Sequence, residues 1–286
     1  MFATLLGPYP GASVASTVQE LEAAGIEPVS DGRGAPWPGD LPASIVAAWR
    51  DAAASASVAV KQALLGPFSA SRRSGEDALM LAESIGRTVL ELAEAGCPLV
   101  EIEEPEAVAA ASDDTTRPAL AAALRRLTDL AGGRAHLSLV LTGGNADTLG
   151  AATLFDLPFA SYAFDLIAGP DNWRLVAQAP GDRGIVCGAL DPSARSSDRP
   201  ETLVWAAHYA ASTGGRGLDR VGLANASSLA GLTRERARAK LVALAQAARL
   251  AALQDPKELA ASLDPRAVDI RSAALGAYDP NAPRRR

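Results

Sequence analysis

The chain has 286 residues, a net charge of −6, 48% hydrophobic and only 5% aromatic residues. That is the composition of a water-soluble globule, and its length suits one large domain such as a (β/α)₈ barrel, which takes roughly 250 residues. A net acidic chain lacks the clustered cationic face that phosphate backbones need, so nucleic acid is not an expected partner. Two cysteines and two histidines would all be consumed by one four-ligand zinc site, and two cysteines build no disulfide framework. No apolar run reaches the roughly 18–20 residues of a membrane span, and the start does not read as a signal peptide. The expectation is a cytoplasmic protein without membrane contact.

Eight short apolar runs end in turn residues and read as strands: Phe2–Leu6, Ile26–Val29, Val58–Leu65, Leu99–Ile102, Ala135–Leu141, Ser161–Ile167, Gly184–Leu190 and Arg220–Leu223. Helical spacing marks Val14–Ala24, Ala78–Ala95, Arg117–Ala131, Thr148–Phe155, Trp173–Ala179, Glu201–Ala211 and Arg234–Leu253. Leu41–Ser57 reads as an extra helix after the second strand. Strand then helix, eight times over, predicts an α/β fold of the (β/α)₈ TIM-barrel type as a single domain over 1–275. Residues 276–286, which end in three arginines, read as a flexible tail.

A parallel barrel carries its chemistry at the C-terminal ends of its strands. The polar residues that close these runs are Tyr9, Asp31, Arg33, Ser69, Glu103, Glu104, Asp165, Asp191, Asn225, Ser227 and Ser228. Lys61 lies earlier in its strand, where it either meets an anionic ligand from inside the mouth or pairs with Glu103 or Glu104. Neighbouring strand residues face opposite ways, so at most one of Glu103 and Glu104 points inward. Asp165 and Asp191 sit where either a site carboxylate or a helix cap belongs.

Several motifs, taken in order, carry a family resemblance. Leu92-Ala-Glu-Ala-Gly-Cys-Pro-Leu-Val-Glu-Ile-Glu-Glu-Pro105 is similar to an "L-x-x-A-G-x-x-x-I-Q-I-D-E-P" strand. Val60-Lys-Gln-Ala-Leu-Leu-Gly-Pro67, Gly7-Pro-Tyr-Pro10, Ser30-Asp-Gly-Arg33 and Gly188-Ala-Leu-Asp191 resemble "V-K-x-x-L-x-G-P", "G-S-F-P", "T-D-G-E" and "G-V-V-D". The ordered set resembles the cobalamin-independent methionine synthase family, which joins a metal-free N-terminal barrel to a zinc-bearing C-terminal one. Leu157–Gly169 and Ser227-Ser-Leu229 resemble the metal-free half. The resemblance implies a methyltransferase barrel that takes a methyl group from a methyltetrahydrofolate-type donor. On this reading Glu103, Glu104, Asp165 and Asp191 serve catalysis. Tyr9, Asp31, Arg33, Lys61, Asn225, Ser227 and Ser228 then bind a small-molecule substrate.

The departures bear on the metal. The family's late zinc cysteine falls within Ala224-Asn-Ala-Ser-Ser-Leu229 as serine, and no register of its His-x-Cys pair leaves a thiolate. At most His136 and Asp165 remain as donors, so zinc is not expected. Arg33 replaces a glutamate that grips an ammonium in the family, a reversal that favours an acidic acceptor. The histidine that follows "G-V-V-D" falls near Ser193. Two alternatives stay open beside methyl transfer. One is a non-catalytic ligand-binding barrel, alone, docked on a partner barrel or as a homo-oligomer. The other is a lyase or hydrolase with Glu103 or Asp165 as general base. Among the remaining residues, Trp37 either stacks on a planar ligand or caps the barrel edge, and Thr142-Gly-Gly-Asn145 is a weak phosphate-cradle pattern. Cys97 and Cys187 read as inert core thiols, His136 as a hydrogen-bonded strand residue and His208 as a helix residue outside the barrel.

Overall fold

The structure is a computed structural model that describes residues 1–37, 42–131, 133–193 and 198–263. The residues read as a flexible tail lie outside that range. Seven strands form one sheet: β1 (Phe2–Thr4), β2 (Gln62–Leu65), β3 (Leu99–Glu103), β4 (His136–Leu141), β5 (Ser161–Asp165), β6 (Gly184–Leu190) and β7 (Val221–Asn225). Every neighbouring pair is parallel, in the order β1-β7-β6-β5-β4-β3-β2.

The gap between edges β1 and β2 is filled by segment 26–29, which bridges Ala3 to Glu27 on one side and Val29 to Val60 on the other. Glu27 donates to the Ala3 carbonyl at 2.9 Å, Val29 to Ala59 at 2.9 Å, and Lys61 to Val29 at 2.8 Å. Pro28 has no N–H to give a ladder, so this eighth position makes bridges instead of a strand. The second predicted strand therefore stands at its place in the barrel, and the sheet closes through it.

Helices alternate with the strands: α1 (Val14–Ala23), α2 (Pro42–Ala54), α3 (Pro67–Ser74), α4 (Ala78–Glu94), α5 (Pro105–Ala109), α6 (Thr116–Ala131), α7 (Ala151–Phe155), α8 (Trp173–Gln178), α9 (Pro200–Ser212), α10 (Arg234–Ala251) and α11 (Pro256–Ser262). The segment read as an extra helix over 41–57 forms α2, and α2 is the second unit's own crossover. The additions to one helix per unit are α3, α5 and α11. Side-chain caps explain several starts. Ser13 and Ser16 bond reciprocally at α1, Asp77 accepts from Leu79 and Met80 at α4, and Thr233 accepts from Arg236 at α10.

Strand alternation divides the buried side chains into two sets. Val100, Ile102, Leu139, Leu141 and Leu223 belong to the large core shared with the helices. Leu6, Val140, Ala163, Val186 and Ala224, with Phe2 against them, form a small second cluster inside the barrel. On β3 the inward series is Leu99, Glu101 and Glu103. Among the described residues no helix is long and apolar enough to cross a membrane.

Candidate functional site

Glu101, missing from the site residues expected at the strand ends, organises the barrel interior. It is 2% exposed, and its Oε1 accepts from Lys61 Nζ at 2.6 Å. Lys61, also 2% exposed, donates in addition to the Leu5 carbonyl at 2.6 Å. Burial pushes the Glu101 carboxyl up, and the Lys61 ammonium opposes that shift. Lys61 is thus held in a buried ion pair, and its partner is Glu101 instead of Glu103 or Glu104. The signal was present in the sequence: Leu99, Glu101 and Glu103 share one strand face, and Lys61 precedes the strand beside it.

Glu103 comes two residues further up the same face, roughly 7 Å along the strand. Its Oε1 is sealed from solvent and has no hydrogen-bond partner among the described residues. Burial, helped by the Glu101 charge below, pushes its carboxyl up to about 7, against the pull of Lys61 and Arg73. Arg73 on α3 is itself bonded to Glu106 at 2.9 Å. A half-buried carboxyl pushed up to about 7 at the end of a barrel strand is equipped for proton transfer.

Glu104 faces the other way. It is fully buried, and its two oxygens accept from Phe68 N at 3.0 Å and Ser69 N at 2.7 Å. Both donors belong to the first turn of α3, whose free N–H groups and positive dipole end suit a carboxylate. Burial still pushes this carboxyl up to about 7. A Cβ on Gly66 would lie 2.3 Å from the Glu104 carboxyl, so only glycine admits this contact. Glu104 therefore seats the first turn of α3. Ser69 is buried with it and accepts from Glu106 N at 3.1 Å.

Asp165 is likewise committed. Its Oδ1 accepts from Ile167 N (2.9 Å) and Ala168 N (2.8 Å), and its Oδ2 from Gly143 N (3.0 Å). Fully buried Asn172 adds bonds to Ala146 N, the Gly144 carbonyl and the Asp165 carbonyl, which locks the loops after β4 and β5 together. Thr142-Gly-Gly-Asn145 thereby spends the Gly143 N–H inside the protein. Its glycines take the positive φ values of 92° and 157° that this loop requires. Asp165 and Asn172 thus anchor this loop to the one that follows β5.

Asn225 is fully buried and clamps Leu6 through both its N–H (3.0 Å) and carbonyl (2.6 Å), with a third bond to the Ser227 carbonyl (2.8 Å). These bonds join β7 to the end of β1. Ser228 is exposed and donates to the Pro8 carbonyl at 3.3 Å, and Ser227 is half-buried beside it. Tyr9 is buried, with its hydroxyl donating to Glu20 at 2.9 Å and its ionisation pushed up by burial and that carboxylate. Asp191 Oδ1 accepts from Ser193 N at 2.7 Å. Its carbonyl accepts from fully buried Lys240, which also pairs with Asp198 at 2.8 Å.

Two residues stay presented at the mouth. Asp31 accepts from Arg33 N at 2.9 Å, and burial pushes its carboxyl up. Arg33 is exposed, and both line a cavity of about 280 Å³ beside Tyr9 and Thr17 and another of about 420 Å³ beside Ser44 and Gln62. Trp37 is 38% exposed on the loop that follows.

Zinc does not fit these residues. His136 opens β4 and bonds Ser161 Oγ at 2.8 Å. Asp165 lies beyond it by six register positions, or about 20 Å, so the two cannot share an ion. Cys97 Sγ donates to Leu99 O and Cys187 Sγ to Ala206 O, and burial pushes these thiols up to about 11 and about 12. His208 bonds the Ala251 carbonyl on the outer helices at 3.0 Å. Among the described residues no three His, Cys, Asp or Glu side chains converge.

No protein-family model matches the chain, and no curated protein does. Solved structures do. A B12-independent methionine synthase from Shewanella sp. W3-18-1, in complex with selenomethionine, superposes with a TM-score of 0.71 at 14% identity, covering 91% of this chain and 98% of that one. A putative vitamin-B12-independent methionine synthase from Listeria monocytogenes gives 0.67 at 13% identity, with 87% and 97% covered. A methyltransferase from Methanosarcina mazei gives 0.51 at 16%, with 74% and 70% covered. At these identities the likeness is one of fold, and that fold is the α/β barrel that the B12-independent methionine synthase structures share.

Proposed function

We propose that this chain is a methyl-transfer barrel. It would move a methyl group from a folate-type amine donor to a small acidic acceptor, with Glu103 as its acid. The single observation that carries the reading is Glu103 Oε1 at the end of β3, sealed from solvent and without a hydrogen-bond partner among the described residues, on a carboxyl that burial pushes up to about 7. Its likeness in fold to methionine synthase barrels supports the reaction class. When a methyl leaves an amine nitrogen, the C–N bonding pair stays on nitrogen and takes up a proton. Glu103 Oε1 would supply that proton, and the acceptor's displaced proton would restore it. No net oxidation occurs. Arg33, exposed at the mouth, would draw an acidic acceptor by its charge and planar fork. The nucleophile is the acceptor's own atom, since both thiols of the protein are buried and held protonated.

A second reading, a barrel that binds such a ligand without turning it over, is favoured by the structural bonds that occupy Lys61, Asp165 and Asn225. Both readings are tested together by titrating methyltetrahydrofolate and assaying methyl transfer to small acidic thiols and amines. The expected result is binding in both wild type and Glu103→Gln, with turnover at least about 100-fold lower in the variant, the usual size of a lost general acid. Binding without turnover in wild type selects the second reading. Absence of binding, or unchanged turnover in Glu103→Gln, overturns the proposal.

A further inference from the structure

A barrel of this type normally fills its interior with layers of bulky branched side chains. The N-terminal end of this one is underfilled. Ser138, Ser161 and Gly184 occupy inward positions at the starts of neighbouring strands. A cavity of about 400 Å³ results, walled by Phe2, Leu99 and Val186. It lies on the far side of Glu101 from Glu103, so the buried Lys61–Glu101 pair separates it from the mouth. Its rim is formed by exposed Asp182, Asp219 and Arg220.

Two polar atoms lining this cavity are buried and have no hydrogen-bond partner among the described residues: Ser138 Oγ and Arg183 Nε. Ser138 is 1% exposed. Arg183 spends its Nη1 on the Phe159 carbonyl at 2.6 Å, and its Nε is ion-paired with Asp182 at 3.7 Å, a distance that leaves the Nε–H without a hydrogen bond. An arginine Nε–H only donates, and a serine hydroxyl donates as readily as it accepts. The missing partner is therefore an acceptor oxygen. An ammonium offers donors alone and cannot satisfy Arg183. Glu101 borders the cavity with its charge already matched by Lys61 at 2.6 Å. A pocket of this volume with mainly apolar walls and a few convergent polar atoms has the make-up of a small-molecule site.

We infer that the N-terminal end of the barrel holds a second ligand site, for a small molecule with an apolar body and a carboxylate or carbonyl oxygen, of about the size of benzoate. It is independent of the chemistry at the mouth. The probe is benzoate, titrated into the full-length protein by calorimetry, with benzylamine as the donor-only counterpart of the same shape. Benzoate is expected to bind with a dissociation constant of about 1 mM or below, as befits a ligand of that size, and benzylamine at least about tenfold more weakly. Ser138→Ile, which fills the cavity and removes the hydroxyl, should abolish binding. Ser138→Ala should weaken it roughly fivefold, the cost of one neutral hydrogen bond. Should Ser138→Ile fail to fold, Ser138→Ala and Arg183→Met decide. Arg33→Ala, at the opposite end, should bind benzoate as wild type does. The inference is overturned if wild type does not bind benzoate, which leaves a merely hydrated cavity. It is equally overturned if benzylamine binds more tightly, if binding survives Ser138→Ile, or if Arg33→Ala abolishes it.

Discussion

Glu101, Glu103 and Glu104 occupy four consecutive positions with Ile102, yet each meets a different environment. Glu101 is matched by an ammonium, Glu104 by two backbone N–H groups, and Glu103 Oε1 by no hydrogen-bond partner among the described residues. The difference has a measurable sign. Glu103 is raised from 4.5 to about 7 in the folded state. Its proton therefore stabilises the fold fully below the unfolded value, and that contribution is lost as pH rises through about 7. The shift corresponds to about 3 kcal/mol. Chemical denaturation between pH 4.5 and 8 should show stability falling, and Glu103→Gln should flatten its share of the fall. A slope unchanged by Glu103→Gln would mean that this carboxyl is not held protonated by the fold. Nothing in the sequence distinguished these glutamates beyond strand alternation. Alternation allows only one of Glu103 and Glu104 to face inward, but it says nothing of the helix end that meets Glu104.

At the scale of elements, α3 illustrates how a short helix is held. It has eight residues, is preceded by glycine and begins with proline, and has no side-chain cap of its own. Its cap is supplied from another strand by Glu104. Glu104→Ala should therefore cost about 1–3 kcal/mol by leaving buried N–H groups unpaired, and amide exchange should speed up over 67–74 before the rest of the barrel. Gly66→Ala should act alike, since its methyl would displace the same carboxylate. Exchange that stays uniform across the barrel would show that α3 stands without this bond. Helices with apolar stripes, such as α4 and α10, were legible from their period because one face is buried along many turns. By contrast, α3 and α5 were not, because eight and five residues hold too few turns for a period to emerge. The eighth barrel position was legible from its apolar run, although Pro28 keeps it from forming a ladder.

For the whole molecule, the Lys61–Glu101 pair is the internal floor of the barrel. Removing one partner leaves a buried charge, so Lys61→Met should destabilise by about 3–5 kcal/mol, whereas Lys61→Met with Glu101→Met should restore much of that loss. Equal loss in single and double variants would mean that the pair contributes through packing alone. The same floor separates a mouth expected from barrel topology from a base cavity that no motif announced. That cavity arises from small residues on three strands, and its orphan atoms are Ser138 on β4 and Arg183 just ahead of β6. Only folding brings such residues together.

The join between β1 and β7 gives this barrel a timetable. Phe2, Ala3 and Thr4 pair with Gly222, Leu223 and Ala224, and Asn225 closes the seam on Leu6 across 219 positions of chain. A ribosome therefore releases the first strand long before its neighbour exists. During most of synthesis β1 has Ala3 to Glu27 as its single bridge, and its other edge stays open. Nascent chains that stop short of β7 thus present an unpaired apolar edge, the kind of surface that holdase chaperones cover and that aggregates when they do not.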